Sequence, residues 1–267
     1  MQEGAVASVK ESSVAKAAGP AKFAWYDLMT SDIEAAASFY ENVIGWATQD
    51  NGMAGAEHYR IFSMGPKTVS GLMALPEKDL RPSWMGYIGV DDVDAYARRV
   101  VEAGGGVHVP PRDIPGVGRF SLVADPQGAV FYLFHPNGSA QLDDTPAAPG
   151  RICWHELNAS NLDSAYAFYA GLFGWERGGS HDMGARGLYQ MFTRGGAPLG
   201  GMMKAPPSMP EPFWLYYFSV ESVAAAAKRV TEAGGKVVHG PAEVPGGWIA
   251  QCLDPQGALF GVAAMES

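Results

Sequence analysis

Two short runs carry the side chains best suited to chemistry, and they are copies of one another. Trp25-Tyr26-Asp27-Leu28-Met29 and Trp154-His155-Glu156-Leu157-Asn158 each set an indole two positions before a carboxylate, and the second run follows the first by 129 residues (154 minus 25). Side chains alternate across a β-strand. An extended chain therefore places Trp25, Asp27 and Met29 on one face, Tyr26 and Leu28 on the other, and groups Trp154, Glu156 and Asn158 in the copy. If the two faces meet across a cleft, two indoles and two carboxylates converge. Carboxylates that share a partly dry pocket repel, which raises one pKa and would make Asp27 and Glu156 an acid/base pair. Aromatic walls favour planar or cationic molecules. The plainer alternative is that the tryptophans fill the interior and each carboxylate pairs with a basic residue such as Arg60 or Arg119.

His155 is a separate case. On a regular strand it faces away from Glu156. A β-bulge would turn it inward, where with Glu156 or Asp27 it would hold a metal; otherwise it is a core-facing histidine, as its copy Tyr26 suggests. The other histidines show no paired spacing such as HxH or HExxH. Nothing matches a phosphate-cradling glycine loop, a dinucleotide fingerprint or a nucleophile elbow.

The elements that position these residues also occur twice. Strands are expected over Phe23–Thr30 and Ile152–Ala159. Helices follow at Ile33–Ile44 and Leu162–Phe173, opening after the N-cap residues Asp32 and Asn161 and closing at Gly45 and Gly174. A short strand is expected over Trp46–Gln49. Further strands fall near Tyr59–Ser63 and Thr68–Ala74, with copies at Tyr189–Thr193 and Pro198–Lys204. A second strand–helix unit runs through Trp84–Val90 and Val93–Glu102, copied at Phe213–Val220 and Val223–Glu232. The last strands lie near Gly106–Val109, Phe120–Ala124 and Ala129–Phe134, the last of these following a DPQG turn that recurs at Asp254. They contribute Tyr132 and Phe134 to the expected cleft, with Gly261 and Ala263 as small counterparts. Each module is two βαβββ-like halves, four in all. The variable loops Met53–His58 and His181–Arg186 lie where specificity is commonly set.

At 267 residues the chain suits two such modules, with a tail over 1–21, a first module over 22–135, a Pro- and Gly-rich linker over 136–150 and a second module over 151–267. A hydrophobic content of 47% and a charged content of 18% fit a soluble globular protein. The net charge of −9 argues against a nucleic-acid partner, and no apolar run is long enough for a membrane span. The tail lacks the apolar stretch of a signal peptide. With Cys153 and Cys252 read as buried thiols, the expected location is cytoplasmic.

This order of motifs resembles the vicinal oxygen chelate superfamily of glyoxalase I, extradiol dioxygenases and bleomycin-resistance proteins. The resemblance rests on Asp32 to Phe39-Tyr40 and Gly45, on Val90-Asp91-Asp92-Val93 with Glu102-Ala103-Gly104-Gly105, and on Asp125-Pro126-Gln127-Gly128, each with a counterpart in the second module. The Trp-x-Asp-Leu and Trp-x-Glu-Leu openings look most similar to a two-module, glyoxalase-like branch with actinobacterial antigen and hydroxylase-like members. The resemblance implies an α+β fold of tandem modules, their paired βαβββ units forming open cupped sheets. It also implies metal ligands at four positions, which here hold Trp25, Tyr132, Trp154 and Gly261. None is a routine ligand for a divalent ion. Glyoxalase I and extradiol dioxygenase chemistry are thereby disfavoured.

The expected function is binding of a small apolar or aromatic molecule without the usual metal, by Trp25, Met29, Tyr132, Phe134, Trp154, Asn158 and Gly261. The alternative is a lyase, isomerase or hydrolase of a small oxygenated compound, using Asp27 and Glu156 or a weak metal at His155 with Glu156. No cofactor is expected otherwise, and the chain is expected to be a monomer or homodimer.

Overall fold

The computed structural model describes residues 21–50, 59–138 and 148–267. The expected tail apart from Ala21, the middle of the linker and the loop Met53–His58 lie outside the described residues.

The first module contains β1 (Phe23–Thr30), α1 (Ile33–Ile44), β2 (Ala47–Asp50), β3 (Tyr59–Met64) and β4 (Lys67–Ala74), then β5 (Ser83–Gly89), α2 (Val93–Glu102), β6 (Gly106–Ile114), β7 (Gly118–Ala124) and β8 (Val130–Pro136). The second contains β9 (Ile152–Ala159), α3 (Leu162–Phe173), β10 (Glu176–Asp182), β11 (Leu188–Arg194) and β12 (Ala197–Lys204), then β13 (Phe213–Ser219), α4 (Val223–Glu232), β14 (Lys236–Val244), β15 (Gly247–Leu253) and β16 (Leu259–Ala264). The stretch expected as a variable loop, His181–Arg186, is instead the end of β10 and a 3-10 turn over Gly184–Arg186.

Each module forms one eight-stranded sheet, ordered β2-β3-β4-β1-β5-β8-β7-β6 and β10-β11-β12-β9-β13-β16-β15-β14. The seam β1–β5 is antiparallel, whereas β1–β4 and β5–β8 are parallel, so each sheet joins two βαβββ halves back to back. Helix α1 starts where the Asp32 side chain accepts from the Ala35 N–H at 3.0 Å and ends at Gly45, whose φ of 88° suits a residue without Cβ. Helix α3 repeats both devices with Asn161 and Gly174.

The helices and one face of each sheet share a single apolar core that runs through both modules. It contains Leu28, Phe39, Tyr40 and Phe131 with Leu157, Phe168, Tyr169, Phe218 and Phe260. The ties across it are reciprocal. Tyr40 donates to Asp254 Oδ2 at 3.2 Å, and its copy Tyr169 donates to Asp125 Oδ2 at 3.1 Å. Arg229 of α4 donates to the Val43 carbonyl near the end of α1, and Arg99 of α2 donates to the Gly171 and Leu172 carbonyls of α3. A cation at a helix C-terminus satisfies orphan carbonyls and opposes the dipole. Both turn aspartates are structural: each accepts backbone N–H groups from its own turn and a tyrosine from the other module.

Where the two modules meet, Tyr26 and its copy His155 bond to each other. The Tyr26 hydroxyl stands 2.5 Å from His155 Nε2, and His155 Nδ1 stands 2.5 Å from the Leu199 carbonyl. A carbonyl only accepts, so Nδ1 carries the proton and Nε2 accepts from Tyr26. Phe23 stacks on the imidazole with centroids 4.0 Å apart, reaching it through a register shift between Phe23 and Trp25. Register shifts occur in both copies, between Phe23 and Trp25 on β1 and between Ile152 and Trp154 on β9, yet His155 still faces the core with both ring nitrogens engaged. In this arrangement the His155 ring is bonded to Tyr26 and the Leu199 carbonyl and does not join Glu156 as a ligand pair.

Burial lowers the His155 pKa to about 4. The unfolded chain takes up this proton near pH 6.5 while the native chain does not, so native stability falls as pH drops from about 6.5 towards 4 and is then level. The interval is worth on the order of 3 kcal/mol. The buried carboxylates have raised pKa values and act with the opposite sign, so the comparison must be with a variant. Urea unfolding between pH 4 and 7 should show a shallower acid loss in His155→Gln than in the native chain; equal pH slopes would contradict a buried neutral imidazole.

Candidate functional site

The face of each sheet turned away from the shared core is a cup with a carboxylate at its base. In the first module alternation along β1 sends Trp25, Asp27 and Met29 into the cup, as expected. The cup forms its own apolar cluster: Met29, Met85, Tyr87, Phe120, Tyr132 and Phe134, with Trp25, Met73 and Leu122 partly buried around them. Strand register sets Trp25 beside Tyr87, Tyr87 beside Tyr132 and Tyr132 beside Leu122, a row across four strands. Tyr87 and Tyr132 stack with centroids 4.2 Å apart.

Asp27 is 3% exposed and is the hub of this row. Its Oδ1 accepts from Trp25 Nε1 at 2.9 Å and from the Tyr59 hydroxyl at 2.8 Å, and its Oδ2 accepts from the Tyr87 hydroxyl at 2.5 Å. Burial raises the Asp27 pKa, and the three bonds from Tyr87, Tyr59 and Trp25 oppose that rise. Neither arginine considered as a partner reaches it. Arg60 pairs with Glu34, and Arg119 pairs with Asp94 and Asp113.

The second cup repeats the plan with different chemistry. Glu156, 5% exposed, accepts from Asn158 Nδ2 at 3.1 Å and from the Tyr217 hydroxyl at 3.2 Å. Trp154 Nε1 donates to Tyr189 at 2.6 Å, and Gln251 Nε2 donates to Tyr217 at 2.8 Å. Burial raises the Glu156 pKa, opposed by Asn158, Tyr217 and the charge of Arg186.

The sequence expectation that the indoles and carboxylates face one another is not what the structure shows. Asp27 and Glu156 belong to different sheets, share no hydrogen-bond partner, and each is raised by its own burial rather than by repulsion from the other. The cause is the shared core, which brings together the faces bearing Tyr26 and His155 and leaves the cups on the far sides. Gly261 also differs from expectation. It opens no wall for a ligand, because a Cβ there would stand 2.2 Å from the ring of Tyr217, which occupies the space.

Tyr59, Tyr87, Tyr189 and Tyr217, with Gly71 and Gly201, were not among the expected site residues. The signal was present: each pair recurs at an offset of 130 (189 minus 59, 217 minus 87, 201 minus 71). Gly71 lies opposite Asp27, and Gly201 opposite Glu156, on the neighbouring parallel strand.

The matching family model is the Glyoxalase/Bleomycin resistance protein/Dioxygenase superfamily, over residues 22–133 and 151–262. The chain belongs to that superfamily. It is 36% identical over 247 residues to the putative glyoxylase CFP32 of Mycobacterium bovis, covering 89% of this chain and 92% of the relative. It is 31% identical over 263 residues to the anthracycline biosynthesis protein DnrV of Streptomyces peucetius, covering 92% and 94%. Among solved structures, the Mn(II)-bound glyoxalase from Novosphingobium aromaticivorans superposes with a TM-score of 0.62 at 18% identity, covering 92% of this chain and 83% of that one. A variant of homoprotocatechuate 2,3-dioxygenase from B. fuscum gives 0.67 at 15% identity, covering 95% and 74%. These two likenesses are of fold.

A metal is thus found in this fold, but the donors here do not fit a divalent ion. Among the described residues each cup holds one carboxylate already surrounded by N–H and O–H donors, and there is no group of three His, Cys, Asp or Glu side chains suited to a metal.

The closeness of Tyr59 to Asp27 depends on Gly71, where a Cβ would stand 2.0 Å from the Tyr59 hydroxyl and 2.2 Å from Asp27 Oδ1. Gly71→Ala should cost about 1–3 kcal/mol in chemical denaturation through overpacking. It should also displace the Trp25 indole N–H resonance. Gly106→Ala, with nothing within 4 Å of its Cβ, should stay within about 0.5 kcal/mol of the native chain. Equal effects of the two substitutions would show that the Tyr59–Asp27 bond does not need Gly71.

Proposed function

We propose that the first cup binds a small planar, aromatic molecule, with the Tyr87–Tyr132 stack as the wall and Asp27 at the base. The observation that carries this reading is the separate aromatic and methionine cluster lining the cup, isolated from the protein core and flanked by the partly buried Trp25, Met73 and Leu122. Aromatic rings supply stacking surface and methionines adapt to its outline. The name of one relative, an anthracycline biosynthesis protein, fits a fused-ring ligand. The second cup, with Asn158, Gln251 and Arg186 around its carboxylate, is more polar and suits a different ligand or none.

A second reading is favoured by one observation. Asp27 is a buried carboxylate of raised pKa set 2.5 Å from a tyrosine hydroxyl, an arrangement that can move a proton to or from a small oxygenated substrate. In that reading Asp27 acts alone in its cup as the acid/base of a lyase, isomerase or hydrolase, and Asp27→Asn abolishes turnover while the fold is kept. The paired use of Asp27 and Glu156 has no support, because they lie in separate cups.

The test is titration of a neutral hydroxyanthraquinone, followed by its own absorbance and by calorimetry. Binding should saturate, and Tyr132→Leu, which keeps apolar bulk but removes the ring, should weaken it about tenfold, in line with the worth of an aromatic stack. Absence of saturable binding, or an unchanged affinity in Tyr132→Leu, would overturn the reading.

A further inference from the structure

The hydrogen-bond arrangement around Asp27 leaves two things open. A carboxylate offers about four lone-pair sites. Trp25 and Tyr59 occupy two on Oδ1, while Tyr87 occupies one on Oδ2, so one acceptor position on Oδ2 remains. The second is charge. All three partners are neutral: two tyrosine hydroxyls and an indole N–H. The basic side chain on the wall of this cup, Arg112, lies over the Phe120 ring at 4.9 Å and acts on Tyr132, not on Asp27. Among the described residues Asp27 is therefore held by neutral hydrogen-bond donors and not by a cation.

The second cup supplies the contrast. Its carboxylate feels the positive charge of Arg186, and the positions copying Met29 and Leu122 are Asn158 and Gln251. The amide of Asn158 bonds to Glu156, and that of Gln251 bonds to the Tyr217 hydroxyl that holds Glu156. One copy thus carries two amide donors around its carboxylate. The other has a carboxylate with neither amide and with rings around it. A buried ionised carboxylate is costly unless it is paired. Aromatic faces attract cations most strongly where water is excluded. A divalent metal would need several anionic donors, and the described residues of the cup supply one. An organic ammonium needs one carboxylate and the faces of rings.

We propose that the first cup is a site for a protonated organic amine joined to an aromatic body, in which the ammonium donates to the free position on Asp27 Oδ2 while the ring system stacks against Tyr87 and Tyr132. This deepens the binding function proposed above and rests on it. It assigns Asp27 the part of counter-ion and explains why the carboxylate is retained among apolar neighbours.

The test uses two probes of one shape, 2-naphthylmethylammonium and 2-naphthylmethanol, titrated calorimetrically into the full chain at pH 7.5. The native protein should bind the ammonium at least tenfold more tightly than the alcohol. Asp27→Asn should abolish that preference, lowering ammonium affinity tenfold or more. If Asp27→Asn does not fold, the indole N–H resonance that Trp25→Phe identifies as Trp25 must shift when the ammonium is added to the native chain. Equal affinities for the two probes, a preference that survives in Asp27→Asn, or a Trp25 resonance that stays fixed would each overturn the amine assignment. If the alcohol alone binds, the aromatic site stands and the amine assignment fails. If neither probe binds, the aromatic reading fails with it.

Discussion

The apolar core shared by the two modules decides where everything else can be. Each sheet has a face that carries Leu28 and Phe131, or Leu157 and Phe260, and these faces with their helices are buried against one another. Neither module could leave such a face in water, because burial of apolar area is the main favourable term in folding. Once the two faces meet, the opposite faces must point away from each other. The duplicated carboxylates are thereby separated into two cups, however similar their sequences. The reciprocal ties, Tyr40 to Asp254 and Tyr169 to Asp125, fix the modules in register by giving each buried turn aspartate a partner from across the interface.

Much of this was legible in the sequence because it is written locally. All four helices have the expected ends, and each opens at a residue, Asp32, Asp92, Asn161 or Ser222, whose side chain accepts from an N–H three residues on. The strand faces of Trp25, Asp27 and Met29 follow from alternation alone. The family resemblance stated on the same motifs agrees with the model match over both modules. What was not legible is non-local. Whether Asp27 and Glu156 meet depends on which sheet faces pack together, and no spacing along β1 or β9 contains that. The place of His155 turned on its partners across the module interface, Tyr26 and Phe23, and that of Gly261 on a tyrosine from the neighbouring strand β13. Tyr59 and Tyr87 could have been found by asking which polar aromatics recur at the repeat offset, since Tyr189 and Tyr217 stand in the copied positions.

Duplication separates what the fold needs from what each cup has come to do. The turn aspartates, the helix caps, the core tryptophans and the arginines over the helix ends occur in both modules and bear on packing. The indole, the carboxylate, the two tyrosines and the glycine opposite the carboxylate also occur in both, although none of them lies in the shared core. Gly71 and Gly201 clear the space for Tyr59 and Tyr189, so a feature of the strand backbone serves the cup as much as the sheet. Around this common frame the two cups diverge at three matched positions: Met29 against Asn158, Leu122 against Gln251, and Tyr132 against Gly261.

These three differences act together rather than singly. With Gly261 beneath it, the Tyr217 ring lies down on β16, and its hydroxyl takes a bond from Gln251 while giving one to Glu156. With Tyr132 in that place, the Tyr87 ring instead has a partner to stack on, and its hydroxyl gives a bond to Asp27 without receiving one from an amide. The second cup closes its polar network within itself, which a low-dielectric interior rewards. Among the described residues, the first leaves a carboxylate held by neutral donors, beside a wall of rings. A side chain in that condition is expensive to keep for packing alone, since an apolar residue of similar volume would fill the base of the cup without the desolvation cost. Its retention is better accounted for by a role in the cup than by the fold, whose own buried acids, Asp125 and Asp254, are tied to backbone N–H groups and to the core.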